Sequence, residues 1–125
     1  MICYLIDDDE DDRDFLEMAL EAVDPEIELL FSNNADDALG VLRANHIFPD
    51  IIFLDLNMPR VDGWECLKFL REIDHLKDVP VIIYSTSEYV RSVQENRGYS
   101  AFLTKQAKIS DLVVKLREIF SRANV

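Results

Sequence analysis

Three short runs of this chain are apolar without a break, and each stops on a group that can do chemistry. Ile2-Cys3-Tyr4-Leu5-Ile6 stops at Asp7, Ile51-Ile52-Phe53-Leu54 at Asp55, and Val81-Ile82-Ile83-Tyr84 at Ser85. Runs this short, with no polar side of their own, describe strands covered on both faces, as in a parallel sheet. Ala101-Phe102-Leu103-Thr104 reads as a further strand before Lys105, and Ile27 to Phe31 as another after the first helix. Pro49 and Pro80 stand just ahead of two of these runs and mark where the strands begin.

Between the runs the apolar residues recur at helical spacing. Phe15, Leu16, Ala19, Leu20 and Val23 form one stripe, closed by Pro25. Ala35, Ala38, Leu39 and Leu42 form the next, with Asn33 or Asn34 as its cap. Asp62-Gly63 opens a helix carrying Cys66, Leu67, Leu70 and Ile73. A weak helix is expected from Glu88 to about Glu95, with Ser87 as its cap and Gly98 as its stop. The last helix shows Ile109, Leu112, Val113, Leu116, Ile119 and Phe120. Five strands alternating with five helices predict an α/β fold: a doubly wound, five-stranded parallel sheet in the order 2-1-3-4-5.

At 125 residues the chain has the size of one domain, expected to span 1–125. The formal net charge of −12 argues against nucleic acid or an anionic membrane as a direct partner and favours a cation or a basic protein surface. Cys3 and Cys66 lie inside apolar segments and read as reduced core residues of a cytoplasmic protein. The longest apolar stretches fall well short of the roughly 20 residues of a membrane span.

In a doubly wound sheet, ligands bind beyond the carboxyl ends of the strands, near the point where strand order reverses. There the chain places Asp7 and Asp8 after strand 1, Asp55 after strand 3, Ser85 after strand 4 and Lys105 after strand 5. Asp9 to Asp12 follow the first pair and read as complements to the helix dipole. Two unit charges about 5 Å apart repel by roughly 3 kcal/mol at an effective dielectric near 20, so three gathered carboxylates call for a divalent cation. Mg²⁺ suits such a set, because it takes one or two carboxylates together with waters and a phosphate oxygen. No Cys/His pattern for zinc is present, and His46 and His75 read as ordinary loop histidines. Carboxylates beside Mg²⁺, a lysine and a hydroxyl make a phosphoryl-transfer site in which an Asp can be the nucleophile.

These residues resemble the response-regulator receiver domain, and the similarity runs over the whole chain. Its marks are Asp7-Asp8, the block Leu54-Asp55-Leu56-Asn57-Met58-Pro59 followed by Asp62-Gly63, then Ser85-Thr86 and Lys105. The resemblance implies a flavodoxin-like (βα)5 fold and a phospho-acceptor at Asp55, supplied by a sensor histidine kinase or phosphotransfer protein. It implies Mg²⁺ held by Asp7, Asp8, Asp55 and the backbone carbonyl of Asn57, with Asp7-Asp8 preferred to Asp8-Asp9. Lys105 would pair with the phosphoryl group, Ser85 would move toward it, and Phe102 would be the aromatic switch behind Ser85. Phe102 also reads as an ordinary half-buried core residue.

The chain is expected to act alone, as a signalling module rather than a turnover enzyme, through an unknown downstream protein. A hydrolase of the phospho-aspartate class would need an acid/base Asp where Asn57 stands. A degenerate receiver would not need the full set of Asp7, Asp8, Asp55, Ser85 and Lys105. Two departures from the family are evident. The stretch between Ser85 and Gly98 is slightly short, which bears on the usual output face. Gln106 replaces the proline that usually follows the lysine. A cis bond costs about 2.5–4 kcal/mol before a residue other than proline, so the Lys105-Gln106 bond is expected to be trans.

Overall fold

The computed structural model describes residues 1–44, 46–58, 60–86 and 98–123. Its elements are β1 (Ile2–Ile6), α1 (Glu10–Val23), β2 (Glu28–Ser32), α2 (Ala35–Arg43), β3 (Ile51–Leu54), α3 (Gly63–Arg71), a 3-10 turn (Asp74–Leu76), β4 (Val81–Ser85), β5 (Ala101–Thr104) and α4 (Ile109–Ala123). The strands form one parallel sheet in the order β2-β1-β3-β4-β5, as the apolar runs require. The helix expected from Glu88 to Glu95, and its cap Ser87, lie outside the described residues.

The period of two along each strand divides the core into two halves. Tyr4, Ile6, Ile52, Leu54, Val81 and Ile83 pack with α2 and α3 on one face. Cys3, Leu5, Ile51, Phe53, Ile82, Tyr84 and Leu103 pack with α1 and α4 on the other. The three central strands are buried on both sides, which is why they carry no polar residue until they end. Burial pushes the thiols of Cys3 and Cys66 up to about 12, so both stay protonated, and both are free.

Edge strand β2 differs from its sequence reading, starting at Glu28 instead of Ile27 and running through Ser32. Only Ser32 in it is buried, so it lacks the continuous apolar run that marks the inner strands. Phe31 is exposed on this edge, and the Arg13 guanidinium stacks 4.0 Å from its ring centroid. Ile73 is buried as expected, but it lies beyond α3, which ends at Arg71 with Glu72 as its C-cap.

The helix starts follow side-chain capping. Asp9 accepts from the N–H groups of Asp11 and Asp12, Asn34 from that of Asp37, and Asp62 from that of Glu65. Arg71 closes α3 by donating to the carbonyls of Gly98, Leu76, Lys77 and Val79, at 2.8, 2.9, 3.3 and 2.8 Å. One side chain thereby ties the end of α3 to the loop before β4 and to the segment leading into β5.

Gly63 begins α3 against the chain leaving β3. A Cβ at this position would meet the Leu56 Cα and lie 2.7 Å from the Asp55 carbonyl oxygen, a backbone contact that cannot swing aside. Gly40 in α2 has open space around the same position. Gly63→Ala should destabilise the fold by about 1–3 kcal/mol. Gly40→Ala should instead stabilise it by about 0.4–1 kcal/mol. Urea unfolding midpoints of the two variants check the contrast.

Candidate functional site

Each central group of the site extends the sheet by one residue past a strand end. The Asp7 N–H donates to the Ser32 carbonyl at 3.2 Å, that of Asp55 to Ile6 at 3.0 Å, and that of Lys105 to Ser85 at 2.8 Å. The alternation of side chains continues through these residues, so Asp7 follows Leu5, Asp55 follows Phe53, and Lys105 follows Leu103. All three belong to the face that packs against α1 and α4.

There the side chains converge. Ligand oxygens of Asp7, Asp8 and Asp55 all lie within 4.8 Å of one another. Asp7 and Asp55 are each 3% exposed, whereas Asp8 faces solvent. The Lys105 ammonium is 3.2 Å from Asp7 Oδ2 and 3.7 Å from Asp55 Oδ1. Backbone amides add to the set, the N–H of Asp9 donating to Asp7 Oδ1 at 2.9 Å and that of Asn57 to Asp55 Oδ1 at 3.3 Å. Asp8, Asp9, Glu10, Asp12, Asp55, Asn57, Ser85, Thr86 and Lys105 line an open cleft of about 760 Å³.

The electrostatics follow from burial. Burial pushes the Asp7 carboxyl up to about 7; the Asp9 amide and Lys105 work against this, and Asp55 works with it. Asp55 is raised by the same desolvation, opposed by Lys105 and the Asn57 amide. Burial disfavours the Lys105 charge, but the hydrogen bond to Asp12 and the charges of Asp7, Asp55 and Asp12 outweigh it and raise the ammonium above its ordinary value. Two buried acids and an exposed one, with hard oxygen ligands opening on a cleft, fit a divalent cation of the Mg²⁺ or Mn²⁺ type.

The expected residues come together, with differences of position. Ser85 is the last residue of β4, and its buried Oγ has no hydrogen-bond partner among the described residues. Phe102 in β5 is half-buried, packs on the α2/α3 side of the sheet and meets Tyr99 edge-on at 4.7 Å between ring centroids. It therefore flanks the cleft without lining it. Pro59 lies outside the described residues. No cis peptide bond occurs among the described residues, so Lys105-Gln106 is trans, and the Gln106 side chain donates to the Thr104 carbonyl at 2.7 Å.

The reading of Asp9 to Asp12 as mere complements to the helix dipole is corrected at two positions. Asp9 is the N-cap of α1, and Asp12 Oδ2 contacts the Lys105 ammonium at 2.6 Å. The sequence held a signal for Asp12. It lies four residues before Leu16, on the stripe that continues through Ala19 and Leu20, and so on the buried side of α1.

A family model described as the response regulator receiver domain matches residues 3–117. The chain is 37% identical over 113 residues to a protein-glutamate methylesterase/protein-glutamine glutaminase of Rhodopseudomonas palustris, covering 90% of this chain and 28% of that protein. It spans about a quarter to a half of the length of the first curated relatives it matches. Among solved structures it is similar to the phosphorylated cyanobacterial phytochrome response regulator RcpA, with 29% identity and a TM-score of 0.80. It is also similar to the Mn²⁺-bound response regulator Rcp1, with 26% identity and a TM-score of 0.76. In both cases 96% of this chain matches 91% of the other.

The raised Asp7 gives the site a pH signature. The folded state binds this proton more tightly than the unfolded chain, so the stability it contributes is full below about pH 4 and is lost as pH rises through about 7. Without metal, the melting midpoint should fall over that window, and Asp7→Asn should flatten the fall. A divalent cation at about 100 times its dissociation constant should add about 2.7 kcal/mol at neutral pH. Melting curves with EDTA or with MgCl₂, at several pH values, measure both effects.

Proposed function

This chain belongs to the response regulator receiver domain family, and on that premise we propose that Asp55 accepts a phosphoryl group from a phosphohistidine donor. The donor is a sensor histidine kinase or a phosphotransfer protein, and the output is a phosphorylation-dependent contact with a downstream protein. The observation that carries this reading is the Asp55 carboxylate itself. It is almost buried yet lines an open cleft, with two further carboxylates and an ammonium close by.

In the reaction a carboxylate oxygen of Asp55 attacks phosphorus, the bond from phosphorus to the donor imidazole breaks, and the released imidazole takes its proton from solvent. Asp7, Asp8, Asp55 and the Asn57 carbonyl would hold Mg²⁺, which offsets charge on the phosphoryl oxygens. Lys105 supplies a second positive charge from a site already adjacent to Asp55. Ser85 offers a hydroxyl, without a hydrogen-bond partner among the described residues, as a donor to a phosphoryl oxygen. Phe102 would follow Ser85, and its edge-on contact couples that movement to Tyr99.

Asn57 offers no titratable group two residues after Asp55, which supports a carrier of phosphate over a turnover hydrolase. We place it in the cytoplasm; among the described residues, no helix is long and apolar enough to cross a membrane.

A small-molecule phosphodonor with Mg²⁺ should add one hydroxylamine-labile phosphate to the wild type, and EDTA should abolish the labelling. Intact-mass spectrometry measures it. Equal labelling of Asp55→Asn would overturn the choice of acceptor.

A further inference from the structure

The shortest contact of the Lys105 ammonium is with neither buried carboxylate. Nζ lies 2.6 Å from Asp12 Oδ2, against 3.2 Å from Asp7 and 3.7 Å from Asp55. Only the contact with Asp12 is also a hydrogen bond. At 2.6 Å it is slightly shorter than the roughly 2.7–2.9 Å usual for a charge-assisted N–H···O bond, and such bonds are about twice as strong as neutral ones. It is also sheltered, the two side chains being 16% and 30% exposed. Because Asp12 stands on the inner stripe of α1, its carboxylate reaches the rim over the α1/α4 face, to which Asp7, Asp55 and Lys105 also belong.

We propose that Asp12 is a positioning residue that holds the Lys105 ammonium back from the place to which a phosphoryl group on Asp55 would draw it, and so opposes the phosphorylated state. The inference rests on the reading of Asp55 as acceptor and Lys105 as phosphate ligand. An ammonium has three donors, but one tied at 2.6 Å to Asp12 is held back from Asp55. A phosphoryl group on Asp55 must draw it across, and the Asp12 bond weakens as it moves. Asp12 thereby sets how readily the site is occupied and how quickly it empties.

Glu10 separates this role from a plain effect of charge. It lines the same cleft, carries the same charge, and pairs with Arg13 at 3.4 Å on the exposed side of α1. Glu10→Gln removes one negative charge without releasing the ammonium.

The test is the affinity for beryllium fluoride, a phosphoryl mimic, titrated calorimetrically in saturating Mg²⁺. Asp12→Asn should bind about tenfold more tightly than wild type, the scale of one charged hydrogen bond. Glu10→Gln should change affinity less than about twofold, as an exposed charge screened by salt does. Asp12→Glu, which keeps the charge, should return toward wild type. In a Lys105→Ala background the Asp12→Asn effect should vanish, since the partner through which it acts is gone. Equal effects of Asp12→Asn and Glu10→Gln, or a gain that persists without Lys105, would overturn the role of Asp12 and leave the acceptor reading intact. A wild type that binds no beryllium fluoride and takes no phosphate would remove the acceptor reading and the role of Asp12 together.

Discussion

One ammonium among several carboxylates is the condition on which this rim of the molecule is built. Asp7 and Asp55 are buried as deeply as core residues, and burying a charge without a partner costs several kcal/mol. Lys105 reaches both and is itself held by Asp12. Among the described residues, four carboxylates, counting Asp8, outnumber the one cation here, so the cluster retains an appetite for positive charge. That excess is the physical reason the place is a site and not simply a well-paired piece of surface. A core sealed on both faces holds the geometry while the charges repel.

The parts of the fold readable in the sequence were those where burial left a continuous signature. β1, β3 and β5 begin and end where their runs do, and β4 runs one residue further, through Ser85. Asp7, Asp55 and Lys105 were legible because each is the first polar residue or cation after a strand. β2 shifted by one residue because a half-exposed edge strand has no such run. Asp12 was misread because an acid in a first helical turn has a ready explanation in the dipole, and its place on the buried stripe was the weaker signal. Arg71 left no trace at all, since a lone arginine near a helix end gives no hint of the four carbonyls it gathers.

Gln106 shows how a departure from a family pattern can be absorbed locally. The Lys105-Gln106 bond takes the ordinary trans form, and the Gln106 amide donates back to the Thr104 carbonyl. The Lys105 main chain stays tied to Ser85, so its side chain starts from the end of the sheet whatever follows it. Four flexible methylenes carry the charge the rest of the way. Position is fixed by the backbone ladder, reach by the side chain.

That ladder has a consequence for which changes of chain length the molecule can survive. Asp7, Asp55 and Lys105 owe their common face to the count of residues in β1, β3 and β5, because side chains alternate sides at every step. Deleting one residue inside β3 would turn Asp55 toward α2 and α3, away from its partners, even if the strand still paired and the core still closed. The same deletion in a connecting loop would leave that parity untouched. Tolerance to insertion and deletion should therefore be set by odd or even count within the strands and by slack between them, so that losing two residues can do less harm to the orientation of the site than losing one.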